Sequence, residues 1–313
     1  MKKELGLLIL LVVLCGTVAL LNHDFLSAVN LQNTARLIGM YGIFSLGLGF
    51  VIITGGIDLS VGSVLALLGV LLSMALTEWR WPAAVAVLFI VLMGVFLGTI
   101  HGLFITRVKL QPFIVTLCGL LFYRGLARFI SRDETKGFGD ASGFKGLQEA
   151  LTGKIFGVPM PFVFLLFLAA ILAVVLHRSV YGRHLLALGR NEEAARYVGI
   201  ATDRITLSVY VLSGGLAGVA ALFVAFYTNS VSPSSHGNFY ELYGIAAAVL
   251  GGCSLRGGEG SVGGILIGTA LLQVLQNLVN LLGIPSSLNF AVMGAVILIG
   301  VTLDQLLSKR RKA

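Results

Sequence analysis

Charge is scarce in this chain. Only 12% of its 313 residues are Asp, Glu, Lys or Arg, about half the usual fraction of a soluble domain. That shortage excludes a soluble globular protein of this length. Cysteine is scarcer: Cys15, Cys118 and Cys253 stand in apolar or glycine-rich surroundings, with neither a metal spacing nor a disulfide framework. The histidines His23, His101, His177, His184 and His236 are scattered, and no metal site is expected. There is no G-x-S-x-G elbow and no G-x-x-x-x-G-K-[ST] phosphate loop. Neither elbow-type hydrolysis nor ATP binding through such a loop is expected on this chain.

What is present is hydrocarbon. Apolar residues make up 57% of the chain, and the mean hydropathy is +0.96. Ten apolar segments are expected to form transmembrane helices, near 5–21, 31–53, 61–77, 82–106, 112–130, 158–177, 205–228, 241–253, 261–281 and 287–305. The segment 241–253 is too short to span alone and runs into glycines. The expected fold is all-α: one polytopic transmembrane domain over 1–313, with glycine-rich helix breaks. Met1-Lys2-Lys3 before Leu5–Leu21 imitates a secretory signal. The run is long for one, and no small-x-small site precedes Asn22, so an uncleaved first helix is expected.

The net charge of +8 does not point to nucleic acid, because the basic residues flank the apolar runs. With the N-terminus in the cytoplasm, 14 of the 22 Lys and Arg fall on the cytoplasmic side. The positive-inside bias then places both termini and the segment 178–204 on the inner side of the cytoplasmic (inner) membrane. The external segments are 22–30, 131–157 and 229–240. The longest, 131–157, reads as a flexible loop with a turn of helix. The run Lys309–Lys312 suits an anionic lipid leaflet.

The stretch Tyr181–Arg204 is the one long polar, basic segment between apolar ones. Asn191 is placed to cap a short helix, with Glu192 and Glu193 where the dipole favours carboxylates. Ala194, Ala195, Arg196, Tyr197 and Val198 continue it, and Gly199 ends it in a left-handed cap. Two turns of helix are not stable alone, so the segment reads as a docking element. Glu192, Glu193 and Arg196 offer charge, and Ala195 and Val198 are small enough to enter a groove.

Polar residues inside the spans form the second group. Gln273, Gln276, Asn277 and Asn280 share one helix face. They either line a wet pathway or hold the bundle together. Gln32, Asn33 and Arg36 form a similar face. Asp58, beside Ser60 in a glycine-rich break, is either a pathway residue or a helix cap. Arg124 and Glu241, read at outer helix ends, either snorkel or gate an outer mouth. Gly94, Gly98 and Gly102 recur at every fourth position, a helix-packing signal. The break at Gly55–Ser63 is echoed by Gly251–Leu255 followed by Ser261–Gly264.

Four stretches carry a family resemblance: FVIITGGIDLSVGSVLAL (50–67), PFIVTLCGLLFYRGLA (112–127), YGRHLLALGRNEEAARYVGI (181–200) and IAAAVLGGCSLRGGEGSVGGILIG (245–268). The chain resembles the permease subunits of ABC sugar importers of the ribose, xylose, arabinose and galactoside type, related to the branched-chain amino acid permeases. The resemblance implies a second permease chain as partner, two cytoplasmic ATPase domains carrying the ATP and Mg, and an external solute-binding protein that delivers a sugar. It implies no catalytic residue and no cofactor on this chain. It makes the loop around Gly189–Gly199 the segment that couples to the ATPase. Arg256 and Glu259 depart from the residues common among relatives. An amino-acid permease of the same superfamily and an ion-coupled secondary transporter are the alternatives, and a membrane enzyme is disfavoured by the lack of clustered catalytic residues.

Overall fold

The computed structural model describes residues 2–139 and 144–285, with Leu288, Ala291, Gly294, Ala295 and Leu298. Among these residues twelve α-helices carry the fold. They are α1 (Lys2–Leu21), α2 (Ala28–Ile53), α3 (Val61–Thr77), α4 (Ala83–Thr106), α5 (Pro112–Ser131), α6 (Phe144–Thr152), α7 (Met160–Arg178), α8 (Val180–Arg190), α9 (Glu192–Tyr197), α10 (Thr202–Thr228), α11 (Tyr240–Leu250) and α12 (Val262–Leu281). Seven of them, α1, α2, α4, α5, α7, α10 and α12, are long and apolar enough to cross a membrane, and α3 and α11 are shorter apolar helices. Nine of the ten expected segments are thus helical. The tenth, 287–305, and the basic run Lys309–Lys312 lie largely or wholly outside the described residues.

The centre of the bundle is α2 and α10, each with 78% of its most apolar stretch buried, whereas α1 has 6% buried and packs on α12. Backbone contact replaces side-chain packing at the tightest seam. Gly94 and Gly98 of α4 face Gly214, Gly218 and Tyr210 of α10. A β-carbon at Gly98 would collide with the Tyr210 carbonyl, and one at Gly94 with the Gly214 carbonyl. The every-fourth-residue glycines are the packing device that their spacing indicates.

Two expectations are corrected here. The segment 131–157 is not a bare loop: it contains the nine-residue helix α6, whose Phe144 stacks on Phe138 at 4.8 Å and meets Phe226 of α10 at 5.3 Å. Lys136–Gly137 (β1) pairs antiparallel with Ser230–Val231, the last of four two-residue strands among the described residues. The segment 229–240 is partly buried, with Asn229, Ser234, Ser235, Asn238 and Phe239 exposed. It runs back along α3, with Val231 against Gly69 and Gly237 against Gly62 at the start of that helix. Finally, 178–204 holds two helices. The first, α8, begins at the Ser179 cap, whose hydroxyl accepts from the Gly182 amide.

Candidate functional site

Two clusters are built from residues singled out by the sequence. The first lies where α3 begins. Asp58 is 4% exposed. Its Oδ1 accepts from the Ser60 amide at 3.0 Å and the Ser60 hydroxyl at 2.7 Å, and its Oδ2 accepts from the Ser213 hydroxyl of α10 at 3.0 Å. The Ser60 hydroxyl also lies 3.5 Å from Nδ1 of His101, whose Nε2 is 3.0 Å from the Tyr123 hydroxyl. Tyr210 donates to the Ile57 carbonyl. Asp58 therefore links the start of α3 to α10, and Ser60 with His101 extends the cluster to α4 and α5. Ser60 is the cap residue of α3 by position but makes no side-chain cap bond.

Next to this cluster, Arg124 donates to the carbonyls of Pro233 and His236 at 2.9 and 2.7 Å. It sits within α5 and not at its end, and Glu241 is buried against Gly62. Placement at a helix end is corrected for Arg124, whereas Glu241 does lie in the first turn of α11. Counting along the sequence missed that the chain after α10 turns back among the helices and starts α11 at the level of α3's first turn. Burial, and then the Arg124 guanidinium, push the His236 imidazole down to about 4, so it is neutral at physiological pH.

The amide face of α12 divides. Asn277 and Asn30 of α2 exchange side-chain bonds at 2.7 and 3.1 Å. Gln273 is buried, Gln276 half-buried and Asn280 exposed. On α2, exposed Asn33 accepts from Arg36 at 3.2 Å. Asn277 is thus part of the helix–helix contact, through a partner, Asn30, that its own periodicity does not indicate.

The second cluster is α8–α9. Asn191 ends α8, and its Oδ1 accepts from the Ala194 amide at 2.9 Å to start α9. Gly199 closes the turn at φ +84°. Arg196 is tied to its own chain at the surface: Nη2 meets Glu192 Oε1 at 2.8 Å, Thr202 Oγ1 at 3.0 Å and Asp203 Oδ1 at 3.1 Å, while Lys109 meets Asp203 at 2.8 Å. Ala195 is buried. The expectation that Ala195 presents itself outward is corrected, whereas Glu192 and Arg196 remain exposed while paired to each other. The outward surface includes Glu192, Glu193, Ala194, Arg196, Tyr197 and Val198, with Tyr197 and Val198 90% and 76% exposed. Between this surface and Lys109 lies an open groove of ≈ 500 Å³.

Gly189 fixes the cluster to the bundle. Its β-position is filled by the Ile53 carbonyl at the end of α2 and the Gly258 amide in the break after α11. That amide also donates to the Ile53 carbonyl at 2.8 Å. Gly257 (φ +83°) lies against Gly55 (φ +80°). The two glycine-rich breaks and the end of α8 thus converge on one backbone junction. Among the described residues no group of three His, Cys, Asp or Glu could hold a metal ion.

A bundle of apolar helices, two of them short and starting from glycine-lined contacts, defines a polytopic helical membrane protein. Residues 30–301 match the family model described as branched-chain amino acid transport system / permease component, and the chain belongs to that family. Among its relatives, the ribose import permease protein of Bacillus subtilis is 39% identical over 96% of this chain and 91% of its own. The ribose import permease protein of Escherichia coli is 37% identical, over 95% and 92%. The xylose transport system permease protein of Escherichia coli is 31% identical, over 91% and 87%. No solved structure matches the chain significantly.

Proposed function

We propose that this chain is the membrane-spanning subunit of an ATP-driven importer for a monosaccharide. The observation that carries the reading is near full-length similarity to permeases named for sugars. The chain acts as a transport component, and the ATP and Mg belong to partner ATPase domains. A second permease chain and an external solute-binding protein complete the assembly. The α8–α9 surface, with Glu193, Ala194, Tyr197 and Val198 outermost, receives the ATPase, and Arg196 keeps it in shape. Closure of the ATPase pair pushes on α8, and Gly189 passes the displacement to the ends of α2 and α11 together.

Deletion of the gene in its host should lower uptake of one of radiolabelled ribose, xylose or fructose by about tenfold or more. Loss of leucine uptake with all three sugars unaffected would favour the amino-acid reading. Uptake abolished by a protonophore while cellular ATP is held constant would favour ion coupling. The topology has its own check. In a cysteine-free background, Glu149→Cys should react with an impermeant external thiol reagent in intact cells, and Glu193→Cys only after permeabilisation. External labelling at both positions would reject an arrangement with 131–157 outside and 178–204 inside the inner membrane.

A further inference from the structure

Three tyrosines meet where α2 and α11 run side by side. The ring centroids of Tyr41 and Tyr240 are 4.8 Å apart, and Tyr243 stands edge-on to Tyr41 at 5.8 Å. Phe44, fully buried, stacks under Tyr240 at 5.6 Å with the planes 16° apart. The rings are thus backed by the core, yet all three tyrosines remain half-buried. At the edge, Tyr227 of α10 is 42% exposed, and the Arg36 guanidinium lies 5.6 Å from its ring centre.

A lipid-headgroup belt does not account for the cluster. Tyrosine belts lie at helix ends, near the membrane surfaces. Tyr41 sits about 20 Å into α2 at 1.5 Å per residue, in the middle of a helix that runs from Ala28 to Ile53. Tyr240 opens a helix that starts beside the first turn of α3. Phenol hydroxyls at such depth call for polar company.

The flanking helices carry unmet hydrogen-bonding capacity. One turn inward from the Asn30–Asn277 pair on the antiparallel helices α2 and α12 stand Thr34 and Gln273, 6% and 3% exposed. Thr34 Oγ1, Gln273 Oε1 and Arg36 Nε have no hydrogen-bond partner among the described residues. Buried polar atoms of this kind are matched by water or by a hydroxylated solute. A monosaccharide has both properties that such a surface addresses: a C–H face that packs on aromatic rings and a rim of hydroxyls.

We propose that Tyr41, Tyr240 and Tyr243, bordered by Tyr227 and Arg36, form the surface over which the carbohydrate crosses this subunit. The inference rests on the sugar-import reading above. It moves the pathway from the α12 amide face as a whole to the α2–α11 side of it.

The test uses the full chain in its host, with uptake of radiolabelled ribose, xylose and fructose and immunoblotted membrane levels. Tyr41→Leu and Tyr243→Leu should each lower uptake of the sugar that the wild type carries by about tenfold, at undiminished membrane levels. Tyr41→Phe and Tyr243→Phe, which keep the ring, should retain about a third or more. Leucine variants that transport within about twofold of wild type would overturn the pathway and leave the sugar reading standing. A wild type that carries none of the three sugars would overturn both. If the leucine variants fail to accumulate, Tyr41→Cys, in the middle of α2, in a cysteine-free background decides. Reaction with a small charged thiosulfonate needs a water-exposed thiolate, so labelling supports the pathway and silence rejects it.

Discussion

Gly189→Val should abolish transport while leaving the chain in the membrane. A β-carbon at this position meets the Ile53 carbonyl and the Gly258 amide, both backbone atoms that cannot rotate aside. Overpacking of a close contact costs about 1–3 kcal/mol, and here relief requires α8 to leave the junction. Most of the bundle core is remote from it, so accumulation should stay above about half of wild type. Substrate-stimulated ATP hydrolysis by the assembled complex should fall by about tenfold, the equivalent of about 1.4 kcal/mol. Gly199→Ala is the contrast: no atom lies within 4 Å of its β-position, and only the left-handed backbone at φ +84° resists the change. A Gly189→Val complex with normal stimulated hydrolysis would show that force does not pass through this junction.

Asp58→Leu should prevent accumulation altogether. The carboxylate accepts three bonds, from the Ser60 amide, the Ser60 hydroxyl and the Ser213 hydroxyl. Leucine leaves these buried donors unmet, at about 1–3 kcal/mol for each one left unsatisfied, in a region where four helices meet. Asp58→Asn separates charge from hydrogen bonding. Its Oδ1 keeps both Ser60 bonds, and the Ser213 hydroxyl can rotate to accept from the new amide. Membrane level and uptake should then stay within about threefold of wild type, because the asparagine replaces all three contacts. Membrane immunoblots with uptake in the same cells make the comparison. An Asp58→Asn chain that accumulates normally but does not transport would assign the negative charge to the transport step.

How much of this was legible beforehand depends on how local each cause is. The Asn191 cap and the Gly199 turn were readable because both act within a few residues. The nine apolar helices were readable because bilayer length imposes a run of apolar residues wherever it applies. Asp58 attracted attention by its setting, but Ser213 lies 155 residues away and His101 lies 41 residues beyond Ser60. No periodicity links them. Helix α8 was hidden by Gly182 and Gly189, which lower helix propensity when read alone. In the fold each is required by close approach, Gly182 to the Leu176 carbonyl and Gly189 to that of Ile53. Ala195 was misplaced for a related reason: a six-residue helix has too few turns to show a face, and only the contact of Arg196 with Thr202 and Asp203 sets its rotation. The tyrosine cluster joins α2 to α11 across some 200 residues of chain, with no spacing to announce it.

The glycine seam between α4 and α10 also limits how the subunit can deform. Shear motion between packed helices works by small changes of side-chain rotamer that let one surface slide on the other. Along Gly94, Gly98, Gly214 and Gly218 there are no rotamers to change, and the opposing atoms are carbonyls and α-carbons. Sliding by one residue would drive peptide groups into one another. The two helices must therefore travel as a single rod. Deformation is left to hinges, and the left-handed glycines Gly55, Gly252 and Gly257 are positioned to act as them.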